Sequence, residues 1–209
     1  MAKINQGILG GFSGSVGPVI GSSWKGIPYI RSKPGKYSHP PTEKQSRYRN
    51  KFAAQIAFAK SLKFSVIKPI WDQKAVMMSG FGLFIKTNKD VYDDTGAICD
   101  FPSLKLSLGD LPLPDNITVA NAAGGNGAIN ITWSDNSGVD IAAATDRLRV
   151  VALKGNEPVV FKELTFTRKE QQAAIHLPYI TDDSVHVYLF FQDAAETNYS
   201  ECFHLPLTI

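Results

Sequence analysis

The sequence predicts a mainly β protein with one long helix: a Gly-rich N-terminal arm, the helix, and a C-terminal immunoglobulin- or fibronectin-like β-sandwich. A jelly roll is the alternative topology. Three observations carry this. Beyond residue 101, short runs of alternating apolar residues are separated by turn-forming clusters. Before them, one segment repeats its apolar residues at helical spacing. Before that, the chain is rich in Gly, Ser and Pro. The resulting division is 1–41 for the arm, 42–100 for the helix and a connecting segment, and 101–209 for the sandwich. With 209 residues and 44% hydrophobic content, the chain is large enough to bury a proper core.

The arm opens with a stretch from Ile4 to Trp24 that holds no charged residue and is flanked by Lys3 and Lys25. Its length would span a bilayer. Its six glycines, Pro18 and scattered apolar positions make it a poor membrane helix, and no compact apolar run precedes a cleavage site. The expectation is therefore no membrane span and a cytoplasmic start. Gly7, Gly10, Gly14, Gly17 and Gly21 would form a bare face on a helix, but interior glycine costs about 0.5 to 1 kcal/mol each and proline more. An extended, turning segment is predicted, with Ile8, Leu9, Phe12, Val16, Val19 and Ile20 buried. Residues 22–31 are predicted as one short strand, and Pro34, Pro40 and Pro41 close the arm.

Thr42 with Gln45 is a capping pair, and Tyr48, Phe52, Ile56, Ala59, Leu62 and Val66 fall on one face, so a helix is predicted from Thr42 to Lys68, stopped by Pro69. In the C-terminal region Ile129, Ile131 and Trp133 alternate, then Leu148, Val150 and Ala152, then Val185, Val187, Leu189 and Phe191. About seven short strands in this length fit the sandwich, with Trp133 in its core.

Charge is distributed unevenly. The first 70 residues carry twelve Lys and Arg against Glu43 alone, a net +11, while the remaining 139 carry ten bases against eighteen acids, a net −8. The overall +3 hides this split. It implies an anionic partner or the acidic face of a neighbouring copy.

No convincing catalytic signature is present, and the chain is expected not to be an enzyme. Ser22 and Lys25, Ser134-Asp135-Asn136 and Lys86-Thr87-Asn88 imitate fragments of the penicillin-recognising serine enzymes, but in the wrong order. Asp94-Thr95-Gly96 copies an aspartic-protease triplet within a polar stretch that reads as a turn. His39, His176, His186 and His204 accompany no nucleophile motif, and His186 and His204 read as hydrogen-bonded strand histidines. Cys99 and Cys202 form no metal-binding spacing and read as buried free thiols. No cofactor, metal or small-molecule substrate is implied. The arm has no phosphate-binding loop either, because its glycines lack the Gly-Lys-Ser/Thr ending.

Trp24, Tyr29, Arg31, Tyr37 and Tyr48 interleave aromatics with bases, which suits both stacking on nucleic acid and a subunit interface. The assembly-interface candidates are Gly10, Gly14, Gly17, Trp24, Lys25, Gly26, Tyr29 and Arg31. The nucleic-acid candidates are Lys33, Lys36, Lys44, Arg47 and Lys51.

The opening MAKINQGILGGFSGSVGPVIGSSWKGIPYIR resembles the signature of an uncharacterised family of similar-length proteins from Bacteroidota bacteria and their mobile elements. The resemblance continues loosely through the helix, Phe81–Asn88 and the Val185–Phe191 strand. It implies no enzyme activity, and it implies that the Gly/Trp-Lys-Gly arm is the functional part. The function expected is a self-assembling structural subunit of a phage or phage-like particle, in its capsid or tail, cytoplasmic before assembly. The runner-up is a cytoplasmic, non-specific nucleic-acid-binding protein, and the third reading is a carbohydrate- or surface-binding β-sandwich module.

Overall fold

A computed structural model describes residues 2–4, 10–35, 40–122, 127–161, 164–178 and 184–208. The chain forms two compact units, Met1–Thr42 and Glu43–Ile209.

The first unit is a four-stranded antiparallel meander: β1 (Lys3–Ile4), β2 (Phe12–Val16), β3 (Val19–Trp24) and β4 (Ile27–Ser32), in that spatial order. The arm is thus extended and turning, but the single strand expected over 22–31 is a hairpin. Trp24 pairs with Ile27, leaving Lys25 and Gly26 as a two-residue turn. Both have positive φ, 47° and 84°, the conformation a two-residue hairpin needs to match the twist of its strands. Gly17, at φ 55°, and Pro18 turn β2 into β3.

In the second unit the helix and the sandwich share a core, so the sequence-based boundary at residue 100 does not separate two folding units. Helix α1 runs from Glu43 to Leu62. It does not stop at Pro69. It widens into a π-helix over Lys63–Trp71 with Pro69 inside, and a last turn, α2 (Asp72–Lys74), follows. Proline lacks the amide proton of the α-ladder and clashes with the carbonyl four residues back. The longer hydrogen-bonding step of a π-helix is the local adjustment that lets the rod continue. Helix α3 (Gly80–Thr87) is capped by Ser79, whose Oγ accepts from the amide of Gly82. It folds back onto the rod at Gly80, where a side chain would collide with Trp71 and Asp72.

The sandwich comprises β5 (Thr118–Asn121), β6 (Ala128–Thr132), β7 (Arg147–Lys154), β8 (Glu157–Phe161), β9 (Gln172–His176), β10 (Ser184–Gln192) and β11 (Phe203–Thr208). One sheet has the order β5-β6-β9 and the other β11-β10-β7-β8, all antiparallel. Among the described residues the seven strands take a three-plus-four arrangement, β5-β6-β9 against β11-β10-β7-β8, that of a fibronectin- or immunoglobulin-like sandwich.

The four-stranded sheet is buried on both sides. Leu148, Val150, Ala152, Val185, Val187, Leu189 and Phe191 face the three-stranded sheet, whereas Val151, Leu153, Tyr188 and Phe190 face the helices. Strict alternation therefore feeds two cores, which explains why β7 and β10 read as nearly continuous apolar runs. Trp71 is the centre of the helical core. It is fully buried, donates from Nε1 to the Leu106 carbonyl at 2.8 Å, and meets the Phe84 ring edge-on at 5.1 Å.

Trp133 is buried in the sandwich core and donates to the carbonyl of Arg168 at 2.8 Å. Arg168 is itself fully buried. Its guanidinium lies 3.1 Å from Asp146 Oδ2, donates to Asn136 Oδ1 and the Pro112 carbonyl, and covers the Phe191 ring at 4.7 Å. Burial pulls the Arg168 pKa down, and the neighbouring Asp146 opposes that shift.

The apolar stripe predicted on α1 is correct only in its C-terminal half. Ala59, Leu62 and Val66 are buried, but Tyr48 and Phe52 are exposed, and Gln55 and Phe58 take the inward positions above Ala59. Gln55 tolerates this because its amide donates to the Lys89 carbonyl.

Candidate functional site: the N-terminal sheet

Five of the interface candidates, Trp24, Lys25, Gly26, Tyr29 and Arg31, lie on β3, β4 and their turn, whereas Gly10, Gly14 and Gly17 precede β3. In the β3–β4 register Ile20 faces Arg31, Ser22 faces Tyr29 and Trp24 faces Ile27. Directly opposed residues share a face of the sheet, so Trp24, Ile27, Tyr29 and Arg31 form one surface. Pro28, Ile30 and Ser32 lie on the other. Every residue of β4 is exposed. Trp24, Ile27 and Ile30 each remain 64–66% exposed, and Tyr29 44%. The Lys25 ammonium sits 5.0 Å from the Trp24 ring centre, so the turn presents a cation and an indole together.

The glycine candidates have local explanations. Gly14 has φ 116° within β2 and pairs with Gly21 of β3, while Gly17 and Gly26 occupy turn positions. Gly10 lies in the bend before β2. Gly21 is buried because the Phe12 ring lies across it from the neighbouring strand. Val16, expected to be buried, is 56% exposed; Phe12, Val19 and Ile20 are half-buried. Ile8 and Leu9 lie outside the described residues.

Among the nucleic-acid candidates, Lys33 is exposed in the first unit, and Lys36, like Tyr37, lies outside the described residues. Lys44, Arg47 and Lys51 share a face of α1 with Tyr48, at helical spacing. That face is partly neutralised: Arg47 pairs with Glu43 at 2.7 Å, and Asp94 lines the same shallow depression as Lys44 and Tyr48.

The chemistry-like strings are structural. Asn88 is buried and brackets Lys105, accepting from its amide and donating to its carbonyl. Asp135 accepts from the Ser137 amide and hydroxyl in a tight turn. Asp93 closes the turn containing Asp94-Thr95-Gly96; the Thr95 hydroxyl, above all, holds its carboxyl below the ordinary value. Cys99 is exposed rather than buried, next to Ile98, which takes the inward position, and Cys202 is half-buried. Among the described residues no group of three metal-ligating side chains occurs, and no helix is long and apolar enough to cross a membrane.

Sequence reasoning missed two features. One is the hairpin, whose signal was present: Lys-Gly between Trp24 and Ile27 is a two-residue turn between apolar neighbours. The other is the pairing of His186 with His204. Nδ1 of His186 lies 2.9 Å from Nε2 of His204, and the His186 ring stacks flat on Phe101 at 3.5 Å. Burial lowers both imidazoles, His204 further through the charge on its partner, against the pull of Asp100. The cross-strand neighbourhood of residues eighteen positions apart carries no local sequence signal.

A family model of a family of unknown function, DUF6266, matches residues 11–205, nearly the whole chain. The chain belongs to DUF6266. The match takes in the N-terminal sheet from Gly11 onward together with the second unit, so both units of this DUF6266 protein are parts of one family pattern. No curated protein matches it. Among solved structures it is similar to domains d3–d4 of the rat CD45 extracellular region, with 15% identity, 49% of this chain and 52% of that chain covered, and a TM-score of 0.36. It is also similar to the fn3 domain of the human collagen alpha-1(XX) chain, with 10% identity, 47% and 84% covered, and a TM-score of 0.33. The DUF6266 chain thus covers about half the length of the CD45 fragment.

Proposed function

We propose that this DUF6266 protein is a non-enzymatic subunit that assembles with copies of itself, as a capsid or tail component of a phage or phage-like particle. The N-terminal sheet is its contact element. One observation carries the reading: a four-stranded sheet leaves Trp24 at the end of β3 and Ile27 on one face, and Ile30 of β4 on the other, about two-thirds exposed. A sheet this small needs its apolar face covered to be stable. Charge names the cover. Met1–Thr42 holds five Lys and Arg and no acid, whereas the second unit is net −2, its excess of acid confined to residues 71–209, so that acidic stretch of one copy is complementary to the arm of another. The resemblance of the opening segment to proteins of Bacteroidota mobile elements points the same way.

Native mass spectrometry and particle imaging test this. The full chain is expected to form a regular assembly larger than a dimer, and removal of residues 1–31 is expected to leave a soluble folded body that no longer assembles. A full-length chain that scatters light as a monomer across a wide concentration range overturns the reading.

The nucleic-acid reading has one observation in its favour, the placement of Lys44 and Lys51 beside exposed Tyr48 on α1. It requires sequence-independent retention on DNA or RNA that falls steeply with salt.

A further inference from the structure

We infer that the outer edge of β4 is a self-complementary docking strand, which pairs antiparallel with β4 of a second copy about a two-fold axis through Ile30. This rests on the self-assembly reading and specifies the geometry of one of its contacts.

The Lys33 amide donates to the Pro18 carbonyl at 2.7 Å, so residue 33 points inward, toward β3. Along a strand the direction alternates. Ile27, Tyr29 and Arg31 therefore also address β3, and Pro28, Ile30 and Ser32 address the open edge. The two-residue turn agrees, since it makes Trp24 and Ile27 a hydrogen-bonded pair. Pro28 agrees as well, because proline is tolerated in a sheet where its missing amide proton would face outward. Beyond the β3 ladder no backbone hydrogen bond to Ile30 or Ser32 is made among the described residues. The edge thus offers carbonyls at 28, 30 and 32 and amide protons at 30 and 32.

The register follows from these groups and from charge. With Ile30 opposite Ile30 of the second copy, each Ile30 amide donates to the other Ile30 carbonyl, and each Ser32 amide donates to the other Pro28 carbonyl. Four hydrogen bonds form, and no amide proton is wasted on proline. On one face, Tyr29 then lies opposite Arg31 of the second copy, twice by symmetry, as a cross-strand cation–π pair. Lys33 falls opposite Ile27, so no two like charges lie directly opposite one another, and the two Arg31 meet only on the diagonal. On the other face the two Ile30 side chains, each about two-thirds exposed in the single chain, cover one another.

The neighbouring registers are worse. Centring on Arg31 keeps four bonds but sets two guanidinium groups face to face, and centring on Tyr29 leaves only two bonds because Pro28 then has to donate. Centring on Ser32 places Arg31 against Lys33. Exposed edges are normally blunted by inward-pointing charge, bulges or covering loops. Here a six-residue edge strand carries a pattern that fits itself.

Cross-linking and hydrodynamics on the full chain test this. With Cys99→Ser removing the exposed native thiol, Ile30→Cys is expected to form a disulfide dimer under mild oxidation. Hydrogen-bonded antiparallel partners lie about 5.5 Å apart at Cα, inside the disulfide range. Ser32→Cys alone is expected not to cross-link, whereas an equimolar mixture of Ser32→Cys with Pro28→Cys is. Ile30→Pro, which deletes the central donor, is expected to weaken self-association roughly ten- to a hundredfold. Ile30→Lys, which sets two ammonium groups across the axis, is expected to weaken it too. If Ser32→Cys cross-links to itself as readily as Ile30→Cys, the register is wrong. If the chain assembles and neither Ile30→Pro nor Ile30→Lys changes the association constant, edge pairing is overturned while self-assembly stands. A wild-type chain that stays monomeric overturns both.

Discussion

The two units spend β alternation in opposite ways. In the second unit the central strands β7 and β10 bury both sets of side chains, one against the helices and one against the partner sheet. In the first unit β4 buries neither set. The difference lies in what surrounds each sheet. Val185 to Phe191 is apolar at nearly every position and meets a helical layer built around Trp71, whereas β2 and β3 carry runs of glycine and serine, Ser13-Gly14-Ser15 and Gly21-Ser22-Ser23, and supply little surface to bury. A strand's own pattern thus does not decide its burial; the apolar surface available to cover it does.

The largest expected effect separates Trp71 from Trp24. Trp71→Ala removes a fully buried ring together with its bond to Leu106, and the second unit is expected to lose about 3 to 5 kcal/mol of stability, read by denaturant unfolding. Trp24→Ala, at an exposed position, is expected to leave that unfolding curve within about 0.5 kcal/mol. It should instead cost about 2 kcal/mol or more of association, the mark of an interface hot spot. A Trp24→Ala chain with an unchanged assembly midpoint would remove this residue from the interface.

Acid should separate the units next. The folded values of His186 and His204 lie below 6.5, so the unfolded chain binds more protons than the folded one as pH falls past that value. The stability they contribute is present above about pH 6.5 and is lost as pH falls through their folded values. Asp93 and Asp135 are depressed as well, and their contributions are lost only below an ordinary aspartate's 3.8, a separate window. Strands β1 to β4 contain no histidine, aspartate or glutamate. Between pH 7 and 5, unfolding of the second unit should therefore become easier, while the sheet's own contacts are not titrated. The double variant His186→Gln with His204→Gln should flatten the dependence in this window. A stability profile that is flat in the wild-type chain as well would leave the pair without the depressed values that their burial implies.

The sandwich was legible because its signal is local. Ile129, Ile131 and Trp133 alternate, turns punctuate the strands, and seven strands follow. The helix start at Glu43 was legible from Thr42, but its end was not. Pro69 is a stop signal in isolation, and only the packing of Val66, Ile67, Ile70 and Trp71 into a core explains why the rod continues through it as a π-helix. Long-range pairings such as Arg168 with Asp146 and His186 with His204 were invisible for the same reason: partners are chosen by sheet register. At the candidate site, the composition of the arm identified Trp24, Tyr29 and Arg31, but their common face depends on the hairpin register, which brings 24 opposite 27.

The smallest effect concerns the turn that sets this register. Lys25 holds φ at 47°, a left-handed conformation that crowds any residue with a Cβ and that asparagine tolerates better than lysine. Since Gly26 already occupies the second turn position, Lys25→Asn would create the Asn-Gly pair that two-residue hairpins favour. The hairpin is expected to gain about 0.5 to 1 kcal/mol, seen as slower amide exchange across β3 and β4. The substitution also removes the ammonium 5.0 Å from the Trp24 ring, so it divides two contributions to assembly. If the turn matters only as a scaffold, association should strengthen with the stiffer hairpin. If the Lys25 charge meets an acidic surface of a neighbouring copy, association should weaken despite the stiffer hairpin, and added salt should weaken the wild-type assembly toward the variant's level. Amide exchange that is no slower in the variant would show that the left-handed Lys25 costs the hairpin nothing.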